Sequence, residues 1–289
     1  MKTIKAKHKA EYEPIGDLIT YRAMPTRLMP MNELDPFIFL NHHGRQEYPP
    51  HNNGLPFGPH PHRGFETVTF ILEGDLMHKD GSGASSVIKA GGVQWMTAGS
   101  GLIHAEVSSD EFKAKGGPLE ILQLWINLPA KYKMTKPKYI GLQKEDIPVV
   151  SWDNGNVNAH IVSGYWTNVK GPVEPLTDIH LASIEFKEGG KLSIPVEKDK
   201  TVFLYVVKGK TLINGEAAEM HDLVEFSHEG LMIEIKALTD ALLLFAYATP
   251  FHEPFAAYGP FVMNTHEEIM QAYEDYNAGK LGSTKSFVY

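Results

Sequence analysis

Short runs of β-branched and aromatic residues, interrupted by glycine, proline and Asp/Asn turns, recur at close spacing along most of this chain. One run covers residues 67–72 and ends at Glu73-Gly74, and a second covers residues 201–207 and ends at Lys208-Gly209. Such residues favour extended strands, and frequent turn signals between short strands are typical of a sandwich or barrel. We therefore predict an all-β fold, and the two matching strand-and-turn patterns favour a duplicated barrel.

The chain has 289 residues, which is enough for two barrels of ordinary size. Residues 128–175 contain five prolines, a density that suits a crossover better than a central sheet. We expect an N-terminal barrel in residues 1–130, a linker or crossover in 131–175 and a C-terminal barrel in 176–289. Near the end, Thr265 and Glu268 form a capping-box pattern that apolar residues follow at helical spacing. A short C-terminal helix is expected to close the second barrel.

Composition removes several classes of function. The chain contains no cysteine, which excludes disulfides and thiolate ligands and leaves histidine and carboxylates for any metal chemistry. Its net charge of −8, without a Lys/Arg-rich block, argues against direct nucleic-acid binding. No apolar run approaches the roughly 20 residues of a membrane-spanning helix, and the first residues lack the apolar core of a secretory signal. A cytoplasmic location is expected, or a nuclear one if the chain comes from an animal.

Two pairs of residues carry the candidate chemistry. Pro61 follows His60 and disfavours helical backbone there, so the segment from His60 to His62 is predicted to run extended. Side chains at i and i+2 of an extended segment share one face, so the two imidazoles aim at a common point. His104 and Glu106 follow a glycine-rich turn and stand in the same relation. On neighbouring strands the two pairs would supply a donor set that suits divalent iron, manganese, nickel, copper or zinc and leaves positions open.

Two further polar residues lie close to these pairs in the sequence. Glu66 shares parity with His62 and is expected to accept a hydrogen bond that fixes an imidazole, rather than to bind metal itself. His78 follows a turn near the first pair and is expected to line a cavity. Phe65 and Trp125 are assigned to the barrel core, because large apolar residues in strands are usually buried.

Three segments of the chain, HPHRGFETVTFILEG, GGVQWMTAGSGLIHAE and YGPFVMNT, strongly resemble the pirin family of bicupins. The first cupin motif is at residues 54–74, the second at 91–108, and the family's terminal segment begins at Tyr258. The resemblance implies two tandem cupin barrels of jelly-roll type with a short C-terminal helix. It also implies one iron site, whose ligands are His60, His62, His104 and Glu106.

The C-terminal half resembles a cupin that has lost its site, because Pro195 and Glu197 stand in the corresponding region without an imidazole pair. The first motif departs from the general cupin pattern in one respect, because Glu66 and Gly74 are one residue too far apart. One metal per chain, Fe²⁺ by resemblance, is therefore expected, with manganese, nickel, copper and zinc as alternatives.

Two functional classes follow from the resemblance. Pirins are similar to quercetin 2,3-dioxygenases, which implies an iron-dependent oxygenase that takes a small aromatic, flavonol-like substrate and O₂. Glu106 is then the candidate base for the flavonol hydroxyl. The alternative is a metal- and redox-dependent regulatory protein that acts through a protein partner, either a transcription factor or a metabolic enzyme.

Overall fold

The computed structural model describes residues 1–81, 85–283 and 287 of the chain. Its helices are α1 (Asp110–Lys115) and α2 (His266–Asn277), with single 3-10 turns at Ala130–Tyr132, Lys144–Asp146 and Asp153–Gly155. Its strands, in chain order, are β1 (Ile4–Lys9), β2 (Glu11–Tyr12), β3 (Thr20–Met24), β4 (Phe37–Tyr48), β5 (Phe57–His62), β6 (Phe65–Glu73), β7 (Asp75–Asp80), β8 (Ser85–Lys89), β9 (Val93–Thr97), β10 (Leu102–Val107), β11 (Gly117–Asn127), β12 (Lys138–Leu142), β13 (Val149–Trp152), β14 (Val157–Ser163), β15 (Tyr165–Trp166), β16 (Val169–Lys170), β17 (Ile179–Phe186), β18 (Lys191–Pro195), β19 (Thr201–Lys208), β20 (Lys210–Ile213), β21 (Glu216–Glu219), β22 (Asp222–Phe226), β23 (Met232–Ala237), β24 (Ala241–Ala248), β25 (Ala256–Tyr258) and β26 (Phe261–Met263).

The strand order shows the same arrangement twice. One seven-stranded sheet has the order β12-β9-β6-β11-β4-β3-β2 and is accompanied by a four-stranded sheet, β5-β10-β7-β8. The other seven-stranded sheet has the order β1-β22-β19-β24-β17-β14-β13 and is accompanied by β18-β23-β20-β21. Adding thirteen to each label converts β9-β6-β11-β4 into β22-β19-β24-β17, and β5-β10-β7-β8 into β18-β23-β20-β21. The predicted all-β fold of two jelly-roll-type barrels with a short C-terminal helix is therefore confirmed.

The two strands singled out from the sequence occupy equivalent central positions. β6 lies between β9 and β11, and β19 lies between β22 and β24. Residues of β19 are buried from the first to the seventh, and only Lys208 is exposed. A strand covered on both faces has no need of polar alternation, which explains the continuous apolar run.

The chain divides into two compact units whose limits differ from the expected ranges 1–130, 131–175 and 176–289. The first barrel consists of residues 12–20, 37–145 and 251–289, and the second barrel consists of residues 1–11, 21–36 and 146–250. The beginning of the chain falls in the second barrel because β1 pairs with β22, where Lys7 lies opposite Val224. The C-terminal helix falls in the unit of the first barrel.

The range expected to be a linker is mostly regular structure. β12 pairs with β9 at the edge of the first barrel, and β13 and β14 extend the large sheet of the second barrel. Prolines in this range lie outside these strands: Pro137 precedes β12 and Pro148 precedes β13. They mark the turns between edge strands, where a missing N–H costs little, and not a single crossover.

Helix α2 packs against the face of β10 that is opposite to His104 and Glu106. Ile103 and Ala105 on that strand join Ile269 and Ala272 of the helix in one buried cluster, together with Phe261. The predicted capping box is present, since the Thr265 hydroxyl accepts from the amide of Glu268 and the Glu268 carboxylate accepts from the amide of Thr265. Within the described ranges, no helix combines the length and the apolar character that crossing a membrane requires.

Candidate metal centre

Pairing between β5 and β10 brings three of the predicted residues together. His104 lies opposite His60, and His62 lies opposite Leu102, so three imidazoles share the inner face of the first barrel. The ring centroids are 4.4 Å apart for His60 and His104, 4.7 Å for His60 and His62, and 5.0 Å for His62 and His104. One nitrogen from each ring lies within 4.8 Å of the others. Because metal–imidazole bonds are about 2.1 Å long, small side-chain rotations would let all three nitrogens bind one ion.

The environment of His104 provides a direct test of whether a metal fits. This side chain is fully buried, and neither of its ring nitrogens has a hydrogen-bond partner among the described residues. A neutral imidazole carries one donor and one acceptor, and buried polar atoms are almost always paired. A metal ion would bind to the lone pair of one of these nitrogens, so the residues present fit a bound metal.

The other two imidazoles are held by backbone carbonyls. Nδ1 of His60 is 2.7 Å from the carbonyl oxygen of Gly58, and Nδ1 of His62 is 3.4 Å from that of Pro260. An Nδ1–H that donates to a carbonyl leaves Nε2 as the lone-pair nitrogen, which is the arrangement of a metal-binding histidine. Burial lowers the pKa of His62 and of His104 well below that of free imidazole, so both rings are neutral.

Glu106 lies outside this three-histidine cluster, among hydrogen-bond donors of the barrel interior. Its carboxylate accepts from Gln123 Nε2 at 2.6 Å, from Thr69 Oγ1 at 3.2 Å and from Gln94 Nε2. Burial raises the pKa of Glu106 to about 7, against the opposing effect of these three hydrogen bonds. The predicted side-by-side placement of His104 and Glu106 on β10 is present, but the structure brings together three of the four predicted ligands.

Gln123 connects Glu106 to an aromatic wall beside His62. Its Oε1 accepts from Trp125 Nε1 at 3.3 Å, and this fixes its amide nitrogen toward Glu106. The Trp125 ring lies 5.2 Å from that of His62 and 4.4 Å from that of Phe65. Trp125 is only partly buried, so it lines the site, where the sequence had assigned it to the core.

The two additional sequence candidates lie near the cluster but outside it. Glu66 is buried and accepts from Thr97 Oγ1 at 2.5 Å. The other Glu66 oxygen is buried without a hydrogen-bond partner among the described residues, and its expected role beside an imidazole stays a prediction. His78 is buried and its ring centroid lies 5.5 Å from that of His104, while Tyr139 stacks on it at 3.9 Å. That His78 lines a cavity stays a prediction.

Sequence reasoning missed the polar residues that hold Glu106. Gln94 and Gln123 each interrupt an apolar strand, and Thr69 lies at the centre of β6. A glutamine flanked by large apolar residues in a predicted central strand is uncommon, because burial of an unpaired amide is unfavourable. That signal was available, although only the strand pairing shows that the donors converge on one carboxylate.

A glycine two residues after His62 lets the C-terminal segment pass close to the histidines. Gly64 has a φ of +88°, and a Cβ there would lie 1.9 Å from the carbonyl oxygen of Val262. The fully buried Lys133 donates to the carbonyl oxygens of both residues, at 2.9 and 3.0 Å. Arg63, next to His62, donates to Asp275 of α2 at 2.8 Å. These contacts fix the end of β5 and therefore the direction of its imidazoles.

Fold and site together define a bicupin whose first barrel carries an interior three-histidine cluster with an open, aromatic edge. A family model described as Pirin matches residues 18–126, and a second, described as Pirin C-terminal cupin domain, matches residues 181–282. The chain belongs to the pirin family, as its sequence motifs predicted.

Known proteins resemble the chain over almost its whole length. A quercetin 2,3-dioxygenase from Acinetobacter baumannii with a crystal structure is 35% identical, with a TM-score of 0.93, and the match covers 98% of this chain and 99% of that one. A pirin-like protein from Solanum lycopersicum is 37% identical over 260 residues, which are 89% of this chain and 85% of the relative. Human pirin is 36% identical over 260 residues, which are 87% of this chain and 84% of the relative.

Proposed function

We propose that the chain is a mononuclear non-haem iron dioxygenase of the quercetin 2,3-dioxygenase type. Fe²⁺ would be held by His60, His62 and His104, with Glu106 as the fourth ligand, and a flavonol-like aromatic compound and O₂ would be the substrates. The observation that carries the proposal is the convergence of three imidazoles in the barrel interior, with one nitrogen of each ring within 4.8 Å of the others. The 35% identity to a protein named quercetin 2,3-dioxygenase supports the choice of reaction.

The donor set favours a catalytic over a purely structural metal. Three nitrogens and one oxygen leave two positions of an octahedral ion available, whereas structural zinc sites are usually closed and rich in sulfur. When bound, the ion would supply a Lewis acid that polarises the 3-hydroxyl and the neighbouring carbonyl of a flavonol. His60 is only partly buried, so the cluster has an accessible side through which a substrate can approach.

Glu106 has two roles in this proposal. It lies two residues from His104 on β10, on the same face of the strand, and it would become a ligand if the carboxylate turned toward the imidazoles. The donors Gln123, Thr69 and Gln94 hold the carboxylate when it is away from the metal. In that position it can accept the proton of the flavonol 3-hydroxyl, which is the base function expected from the sequence.

Trp125 and Phe39, both only partly buried, supply a binding surface for a planar substrate, and the fully buried Phe65 lies behind it. Phe39 stacks on Trp125 with ring centroids 4.4 Å apart, and Phe65 packs against the same indole. Aromatic faces bind planar rings through stacking contacts and remove water from the reacting edge. The wall therefore suits an aromatic substrate better than a small aliphatic one.

The test uses protein purified without oxygen, loaded with Fe²⁺ and then mixed aerobically with quercetin. Oxygen uptake and carbon monoxide release should rise together, in about equal amounts, and a His62→Ala variant should show neither. His266→Ala, at an exposed position of α2, is the matched control and should behave like the unaltered protein. Flavonol binding by the iron-loaded protein without oxygen consumption would contradict the proposal and favour a redox-dependent partner-binding protein.

A further inference from the structure

The second barrel contains a cavity of about 560 Å³ that none of the metal chemistry uses. Strand β18 of the small sheet and strands β13, β17 and β24 of the large sheet contribute to its lining, so it lies between the two sheets of this barrel. Its size falls in the range of small-molecule sites in proteins. We propose that this cavity binds a neutral, planar aromatic compound that carries a carbonyl oxygen or a similar hydrogen-bond acceptor.

The topology explains why this cavity takes an organic molecule instead of a metal. β18 and β23 are the counterparts of β5 and β10, the two strands that carry the histidine cluster in the first barrel. His60 lies opposite His104 between β5 and β10, whereas between β18 and β23 Ile194 lies opposite Ile233. Both isoleucines are buried, so the interior that binds a metal in one barrel is apolar in the other.

Aromatic side chains form much of the lining. The Trp166 ring meets that of Phe245 at 5.0 Å and 75°, and that of Trp152 at 6.3 Å and 60°. Tyr247 continues this surface with its ring 6.4 Å from Phe245, and His180 meets it edge-on at 4.9 Å. Rings arranged edge-to-face around a space of this size favour a flat guest, which can stack on one ring and meet the edges of others.

One buried donor in the lining lacks an acceptor. Trp166 is 7% exposed, and its Nε1–H has no hydrogen-bond partner among the described residues. Buried indole N–H groups normally have a partner, because desolvation without a hydrogen bond is unfavourable. A ligand in the cavity can supply that acceptor, which is why we assign an oxygen acceptor to the compound.

The charged groups near the cavity are already paired with one another. Lys200 lies 2.5 Å from Asp178 and 3.6 Å from Glu197, and His180 Nε2 lies 3.0 Å from the other oxygen of Asp178. Binding an ionised ligand would require one of these pairs to separate. A neutral ligand avoids that cost, so the acceptor is expected to be a carbonyl or ether oxygen rather than a carboxylate.

The test uses the full chain, loaded with diamagnetic Zn²⁺ and labelled with ¹⁵N in its tryptophans, and flavone as the probe. Flavone is neutral and planar, has a carbonyl, and lacks the 3-hydroxyl that would chelate a metal. The chain has four tryptophans, so four indole N–H signals can be followed. The Trp166 signal should shift downfield in a saturable way, whereas Trp125, which lies 5.2 Å from the His62 ring, reports on the first barrel.

Two substitutions separate the proposed hydrogen bond from general packing. Trp166→Phe keeps a ring but removes the donor, and should weaken flavone about five- to tenfold, the effect of losing one buried hydrogen bond. Trp152→Phe makes the same change at another tryptophan of the lining, so it measures the cost of the smaller ring alone, and it should weaken flavone less than Trp166→Phe does. 2-Phenylnaphthalene, which has a similar shape but no oxygen, should bind the unaltered and the Trp166→Phe proteins equally.

The wild-type spectrum keeps the proposal testable even if Trp166→Phe does not fold. A Trp166 signal that stays in place at saturating flavone would overturn the proposal, whether or not the Trp125 signal moves. The outcome is also independent of the proposed dioxygenase activity. The Trp166 shift should persist in the His62→Ala protein, and its disappearance there would assign the effect to the first barrel and overturn the proposal.

Discussion

Replacing Gln123 with leucine tests whether the Glu106 carboxylate takes part in the reaction. Leucine has a similar volume but cannot donate the 2.6 Å hydrogen bond to Glu106 or accept from Trp125. A hydrogen bond to a charged group contributes about 1.5–3 kcal/mol, and each 1.4 kcal/mol corresponds to about a tenfold effect. We therefore expect kcat/KM for quercetin to fall about 10- to 100-fold. The loss should not be larger, because Thr69 and Gln94 still hold the carboxylate.

The assay is oxygen uptake by the iron-loaded variant, with iron per chain measured on the same sample. Iron content should stay near that of the unaltered protein, since the three imidazoles are not altered. Gln143→Leu is the matched control: its amide donates to the Val87 carbonyl at 2.9 Å and accepts from the Lys89 amide at 3.2 Å. It should lower stability without lowering activity.

Two results would refute this reasoning. Activity of Gln123→Leu within about twofold of the unaltered enzyme would mean that the position of Glu106 does not matter for the reaction. Loss of iron in proportion to activity would mean that Gln123 supports the assembly of the site rather than the chemistry of its carboxylate.

Other predictions concern stability. Gly64→Ala should lower the free energy of unfolding by more than about 3 kcal/mol in urea titrations, because its Cβ would lie 1.9 Å from the Val262 carbonyl oxygen. Gly189→Ala, also at positive φ but with open space, should cost only about 1–2 kcal/mol, and equal costs would contradict the clash. Burial raises the pKa of Asp178, but the hydrogen bonds from Lys200 and Thr249 and the charge of Lys200 together outweigh it, and the net pKa is lowered. The stabilisation is therefore present above the unfolded-state pKa of about 3.9 and is lost as the pH falls through the lower folded-state value. Asp178→Asn should destabilise at pH 7 by less than about 1 kcal/mol, since the pair is partly exposed, and a difference that is as large in strong acid as at pH 7 would contradict this.

Local patterns were enough to find the two residue pairs that contain the clustered histidines. An extended segment places residues i and i+2 on one face whatever the rest of the fold does, so His60 and His62 could be paired from spacing alone. The relation between His104 and Glu106 was read in the same way. The facing of His60 and His104 across two strands depends on the register of β5 and β10, which spacing does not determine.

Non-local contacts account for what the sequence did not reveal. The donors to Glu106 lie on β6, β9 and β11, and they converge only when the barrel closes. The unit limits depend on pairings such as Lys7 with Val224, which no local signal indicates. The capping box was enough to predict helix α2. Its position over β10 depends on packing against Ile103 and Ala105, which the sequence did not indicate. Local rules therefore predicted elements and pairs, and tertiary pairing decided which elements met.

The central claim is that the three imidazoles of the first barrel bind one metal ion. The most direct measurement is iron content after anaerobic loading and desalting, compared between the unaltered chain, His104→Ala and the exposed control His266→Ala. We expect about one iron per chain in the unaltered protein and the control, and less than about a tenth of that in a folded His104→Ala variant. Full iron retention by His104→Ala would contradict it.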